Sequence, residues 1–296
     1  MVKEGGNMSQ KTILITGASS GMGKAATELF AERGWLVFAG ARRVEKIPTG
    51  DNIHPMHLDV CDHNSNLAFV AGALTQQTRL DVLLNNAGYG EFGPLEEVPL
   101  ASARKQLETN LLGAADLAQI VLPIMRRQGY GRIINNSSIG GDLYTPLGGW
   151  YYVSKHALNT WSDTLDSEIR SFGLRSVIVE PGGTQSNWLS IAMDHAKANL
   201  QPDSAYRQLT DTVGGLYSHS SFMTGATSEQ LAEVFYKAAT AKRPRRRYYH
   251  ACTDRLMANF ARIHPELFRH GLNLAVDLAL KMHRFDLNEA EPETED

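Results

Sequence analysis

Apolar residues in this 296-residue chain fall into short unbroken runs separated by longer amphipathic stretches. In Lys11–Thr16 the run Ile13-Leu14-Ile15 is too short for a helix and reads as a buried strand. Gly21 to Arg33 has helical spacing and stops at Gly34, and Trp35–Ala39 is a second strand. The alternation continues with strand His54–Leu58, helix Asp62–Thr78 and strand Asp81–Leu84. A long helical stretch over about Leu100 to Arg127 leads to strand Arg132–Asn136, helix Trp150–Phe172 and strand Arg175–Glu180. Strands alternating with helices of this length predict βαβ units, and hence a doubly wound parallel sheet of Rossmann type covered on both faces.

After Pro181 the pattern loosens. Residues 182–227 are rich in Gly, Ser, Thr and aromatics without a clean period, and read as one long loop facing a substrate. Helix Ser228–Thr240 and a final strand at Tyr248–Ala251 close the α/β unit, residues 11–252. A helical extension over 253–285 is expected to break at Pro265 and Gly271. Asp286–Asp296 hold six acids and no base, and read as a disordered tail, matching a flexible arm at residues 1–10. The expected organisation is one domain with a C-terminal helical extension.

Composition narrows the classes. Two cysteines, Cys61 and Cys252, supply neither a disulfide framework nor a cysteine-rich zinc site. The N-terminal MVKEGGNMSQ has no apolar core of a secretory signal, and the longest apolar stretches carry Asp116 and Asp277, so no membrane span is expected. A net charge of −3 argues against a dedicated nucleic-acid binder. A cytoplasmic location is the expectation. Ten histidines form no HExxH or paired spacing, so no metal is expected. The run Lys242-Arg243-Pro244-Arg245-Arg246-Arg247 is read as cations complementing a helix C-terminus.

Thr16-Gly17-Ala18-Ser19-Ser20-Gly21-Met22-Gly23 sits where the first strand hands over to the first helix. Glycine there allows a tight turn and close approach of a pyrophosphate, which the helix N-terminus then receives. Dinucleotide folds place the ribose-reading group roughly 20 residues further on. Here Val37-Phe38-Ala39-Gly40-Ala41 contains no acid and is followed by Arg42 and Arg43. A carboxylate would repel a 2′-phosphate, whereas guanidinium pairs with it, so NADP(H) is expected over NAD(H).

Tyr151 and Lys155 lie four apart on an expected helix and share a face. A neighbouring ammonium should lower the phenol's pKa and fit it for acid–base work. Together with TGASSGMG at 16–23, Leu58-Asp59-Val60, Asn85-Asn86-Ala87-Gly88, Asn110, Ser138, Tyr151-Tyr152-Val153-Ser154-Lys155 and Pro181-Gly182, the chain resembles the short-chain dehydrogenase/reductase family over about residues 11–250. The stretch Ile169–Gly183 looks like its steroid- and retinol-type branch.

The resemblance implies nicotinamide-dependent interconversion of a small-molecule alcohol and carbonyl. Tyr151 would be the acid–base, Ser138 would hold the substrate oxygen, and Lys155 would bind the nicotinamide ribose. Asn110 would fix a water in a proton relay. Gly17, Ser19, Ser20, Gly21, Met22 and Gly23 would cradle the phosphates, Asp59 and Val60 would meet the adenine, and Asn86, Ala87 and Gly88 would line the channel. Pro181, Gly182 and Thr184 would close over the nicotinamide. Ser186 stands where the family often has threonine.

The family spacing selects Tyr151 over Tyr152, and Ser138 over Ser137. The resemblance further implies a homodimer or homotetramer through helices about 100–127 and 150–172. Apolar residues at Trp188, Leu189, Ile191, Met193, Phe222 and Met223, with Leu272, Val276 and Leu280, suggest an apolar substrate. Two other readings stay open: a catalytically idle NADP-binding regulator, and a sugar-nucleotide epimerase or dehydratase of the related longer branch.

Overall fold

The computed structural model describes residues 10–219 and 225–290, so most of the arm, Phe222 and Met223, and the end of the acidic tail lie outside the described residues. The strands are β1 (Thr12–Thr16), β2 (Leu36–Ala41), β3 (Ile53–His57), β4 (Val82–Asn85), β5 (Gly131–Asn136), β6 (Leu174–Val179) and β7 (Arg247–Tyr248). They form one parallel sheet in the order β3-β2-β1-β4-β5-β6-β7. The chain runs outward from β1 to β3 and then returns to add β4 on the other side of β1. That reversal opens a crevice at the carboxyl ends of β1 and β4, the usual ligand position in such sheets.

Helices α1 (Gly21–Glu32), α2 (His63–Gln76), α3 (Leu100–Leu107), α4 (Gly113–Gln128) and α5 (Gly149–Ile169) alternate with the strands. Then come α6 (Trp188–Ala198), α7 (Arg207–His219), α8 (Ser228–Thr240), α9 (Cys252–Ile263) and α10 (Pro265–Ala290). Side chains alternate across the sheet with a period of two. Ile13 and Ile15 pack with Phe30 of α1 and Phe235 of α8, while Leu14 packs with Phe69 of α2, Leu117 of α4 and Leu165 of α5. Because both faces are covered, the strands read as continuous apolar runs.

Four expectations need correction. Residues 182–227 are not one loop, because α6 and α7 lie within them. In α6 the buried Ala192, Met193 and Ala196 share the helix with an exposed Ile191, which blurs the periodicity. The stretch 100–127 is interrupted by a π-helical turn at Glu108–Leu112. In the extension the break falls at Pro265 alone, since α10 runs on through Gly271. It also continues to Ala290, so the first residues of the expected tail are helical. Leu272, Val276 and Leu280 are half-buried on α10, which packs against α7, whereas Leu274, Leu278 and Met282 are exposed. Among the described residues no helix is long and apolar enough to cross a membrane.

Candidate active site

The β1–α1 turn is shaped by what its glycines omit. Gly17 has φ +69°, and a Cβ there would lie 2.9 Å from the Ala87 backbone; a Cβ on Gly23 would meet the Gly17 carbonyl at 2.3 Å. Ser20 precedes α1 in an extended conformation without a side-chain cap, and the first turn carries no acid. The α1 N–H groups thus keep their capacity for an anion. Thr16 braces the turn: its Oγ1 accepts the N–H groups of Asn86 and Ala87, each at 2.9 Å. Asn86 in turn donates to the Thr16 carbonyl at 3.0 Å.

Arg42 and Arg43 are exposed just past β2, which itself contains no carboxylate. Asp59 Oδ1 accepts the Cys61 N–H at 3.1 Å, folding the β3–α2 turn so that Val60 is buried beneath it. A glycine cradle, an open helix N-terminus and free surface arginines fit a dinucleotide phosphate.

At the chemical end, Ser138 caps the short turn after β5. Its Oγ accepts the Gly140 N–H at 3.0 Å, lies 3.4 Å from the Pro181 carbonyl, and hydrogen-bonds the Tyr151 side chain. Ser137, by contrast, is buried with its hydroxyl unpartnered among the described residues. The Tyr152 hydroxyl lies 2.7 Å from Thr145 Oγ1. The structure therefore brings together the Ser138–Tyr151 pair that the spacing selected.

Lys155 Nζ donates to the Asn136 carbonyl at 2.8 Å and lies 5.8 Å from the Tyr151 ring centre. Asn110 sits in the π-helical turn, donating to the Tyr89 carbonyl at 2.9 Å and to Ser154 Oγ at 3.0 Å. A Cβ on Gly88 would lie 3.1 Å from Asn110 Oδ1 and 3.8 Å from Lys155 Nζ, so the missing side chain leaves room between the two.

The electrostatics differ from expectation. Burial pushes the Tyr151 phenol up to about 12, against a lowering by its Ser138 hydrogen bond. Burial pulls the Lys155 ammonium down to about 8. Burial of the phenol thus outweighs the lowering expected from the lysine, whose ammonium is directed at the Asn136 carbonyl.

Several functional contacts were missed in the sequence. Asn136 links the two ends of the site, holding Lys155 through its carbonyl while its Nδ2 donates to Asn86 Oδ1 at 3.0 Å. The signal was present as two consecutive amides, Asn135 and Asn136, in an otherwise apolar strand. Asp254 of α9 accepts the Gly182 backbone N–H, bringing the extension to the Pro181–Thr184 segment. Thr184 pairs there with Ala226 in an isolated bridge. On the substrate side the Trp188 ring lies 4.8 Å from that of Tyr151 and 5.7 Å from that of Phe92, giving the phenol an aromatic enclosure.

The sequence profile of the short chain dehydrogenase family matches residues 11–195. The oxidoreductase YusZ of Bacillus subtilis is 34% identical over 243 residues, covering 79% of this chain and 86% of that one. A 3-ketodihydrosphingosine reductase of Bacteroides thetaiotaomicron is 36% identical over 178 residues, 59% of this chain and 64% of its own. A metagenomic short-chain oxidoreductase crystallised with NADP superposes with a TM-score of 0.63 at 25% identity, covering 81% of this chain and 96% of that one. The profile alone spans more than half of the chain, over the segment that carries the cradle and the Ser138–Tyr151–Lys155 cluster. The chain therefore belongs to the short-chain dehydrogenase family and is an oxidoreductase of that family.

Proposed function

We propose that the protein is an NADP(H)-dependent oxidoreductase that interconverts a hydroxyl and a ketone or aldehyde on an apolar substrate, with Tyr151 as the acid–base. The observation that carries this is the Tyr151 phenol, hydrogen-bonded to Ser138 and walled by Trp188 and Phe92, at the end of the crevice that begins with the glycine cradle. NADP(H), when bound, supplies the hydride equivalent. Gly17 to Gly23 and the α1 N-terminus would hold its pyrophosphate, Arg42 its 2′-phosphate, and Pro181, Gly182 and Thr184 its nicotinamide end. Asp59, Val60, Asn86, Ala87 and Gly88 would line the channel between them.

The residues then divide the work. Ser138 orients the substrate oxygen toward Tyr151 and polarises it. With its pKa at about 12, Tyr151 holds its proton at neutral pH and donates it to that oxygen as charge develops during carbonyl reduction. Lys155, charged below about pH 8, stabilises the phenolate left behind. Asn110 would order a water in the gap beside Gly88 through which the proton is restored. Trp188 and Phe92 exclude bulk water and favour an apolar substrate. The Bacteroides reductase, named for a lipophilic ketone, supports that class, and the NADP complex of the metagenomic relative supports the cofactor.

The test is NADPH oxidation across a panel of lipophilic and polar ketones. Turnover should be confined to lipophilic members, with a lower KM for NADPH than for NADH. Tyr151→Phe should lose about 10²–10⁴-fold in kcat with NADPH binding retained, and Tyr152→Phe should be mild. Full activity in Tyr151→Phe refutes the assignment, and dinucleotide binding with no turnover on any substrate favours the idle regulator.

A further inference from the structure

Within the basic run Lys242–Arg247, expected to complement a helix terminus, Arg246 and Arg247 are held by carboxylates instead. The last carbonyls of α8 are taken by Arg132, whose Nη1 reaches Ala239 O at 2.8 Å and whose Nη2 reaches Ala241 O at 3.0 Å. Arg246 pairs with Asp163, and Arg247 with Glu180 at 2.8 Å and Asp163 at 3.1 Å. Arg245 instead lines a cavity of about 810 Å³ bounded by α8, the edge strand β7 and α9.

Five cations line this cavity, Lys237, Arg245, Arg247, Arg255 and Arg262, against one acid, Glu233. Glu233 is already paired with Arg33. Arg247 and Arg262 have carboxylates behind them, Glu180 and Asp142. Lys237, Arg245 and Arg255 are exposed and make no ion pair among the described residues. In a chain of net charge −3, these cations give the cavity a locally positive field that attracts anions. Gln230 and Asn259 add neutral hydrogen-bonding groups, and no lining residue belongs to the glycine cradle or to the Ser138–Tyr151–Lys155 cluster.

We infer that this cavity is a second anion site, which binds a small phosphate-bearing molecule carrying at least two negative charges. Its volume lies within the ~300–1,000 Å³ typical of small-ligand sites. Arginine forks suit the oxygens of phosphate, and lysine adds a mobile point charge. Because the free cations are at the exposed rim, binding should weaken steeply with salt.

Isothermal titration of the full chain with pyrophosphate, in the presence of saturating NADPH, tests the site. The expected result is one saturable event whose affinity drops by about tenfold or more in the Lys237→Ala/Arg255→Ala double variant and is unchanged in Arg42→Ala. Both replaced side chains are exposed, and an unaltered thermal midpoint would certify the fold. Absence of a saturable event, persistence of full affinity in the double variant, or loss in Arg42→Ala overturns the proposal. Should NADPH itself fail to bind, the dinucleotide reading falls, while the response to Lys237 and Arg255 still decides this one.

Discussion

Tyr151 and Lys155 are both withdrawn from water, and this sets which protons they hold. Lys155 titrates at about 8 rather than near its ordinary 10.5, so the ammonium is lost as pH rises through that value. Carbonyl reduction needs the tyrosine protonated and the lysine charged. With the tyrosine at about 12, the lysine limits first. We therefore expect kcat/KM for reduction to be level below about pH 7 and to fall above about pH 8. Alcohol oxidation, which needs the phenolate, should rise with pH instead. A reductive profile that stays flat to about pH 10 would remove Lys155 from this role. The pair was legible from its four-residue spacing taken together with the family resemblance, which also singled out Ser138. Their pKa shifts were not, because the burial depends on Trp188 and Phe92, which arrive from remote segments. The paired amides Asn135 and Asn136 marked the strand as unusual, but the contact with Lys155 is made by the Asn136 backbone carbonyl, which the residue type does not reveal.

Elements that bury one clear face, or both, were legible, and those that do neither were not. Strands β1 to β6 showed through to within a residue or two, whereas the last, expected over Tyr248–Ala251, spans only Arg247–Tyr248. The helices α6 and α7 stayed hidden, one because apolar residues lie on its exposed as well as its buried side, the other behind Gly214 and Gly215. Gly271 misled in the opposite sense. One glycine weakens a helix without ending it, and here nothing lies within 4 Å of where its Cβ would be. Gly271→Ala should therefore stabilise the protein by about 1 kcal/mol. A thermal midpoint higher by roughly 2–4 °C would register it; a lower midpoint would mean that the position is not ordinary helix. The π-helical turn at Glu108–Leu112 was invisible because its residues are ordinary helix formers. It accommodates an extra residue exactly where Asn110 must turn inward, a common use of such turns at functional sites.

At the scale of the molecule, the outer faces of the helices expected to mediate assembly carry exposed apolar side chains. Leu112 is 48%, Val153 49% and Phe172 47% exposed. A dimer or tetramer built through these helices would cover them, and Leu112→Glu with Val153→Glu should lower the mass seen by sedimentation. An unchanged mass would place any assembly elsewhere. The α/β alternation and the crevice at the β1–β4 reversal could be drawn from the sequence alone, because βαβ topology follows from element order. How the extension sits could not, since it depends on contacts between remote segments, among them α10 on α7, Arg262 with Asp142 and Asp254 with the Gly182 amide.

That meeting, Asp254 with Gly182, ties the C-terminal helices to the segment expected to cover the reacting ring. Insertion or deletion of one residue within α9, between Asp254 and the packed Ala258, would swing the carboxylate by about 100° relative to that packed face and release the amide. The start of the extension and the Pro181–Thr184 segment are thereby mechanically joined, so that a change in the phase of α9 is felt where the nicotinamide is expected to lie.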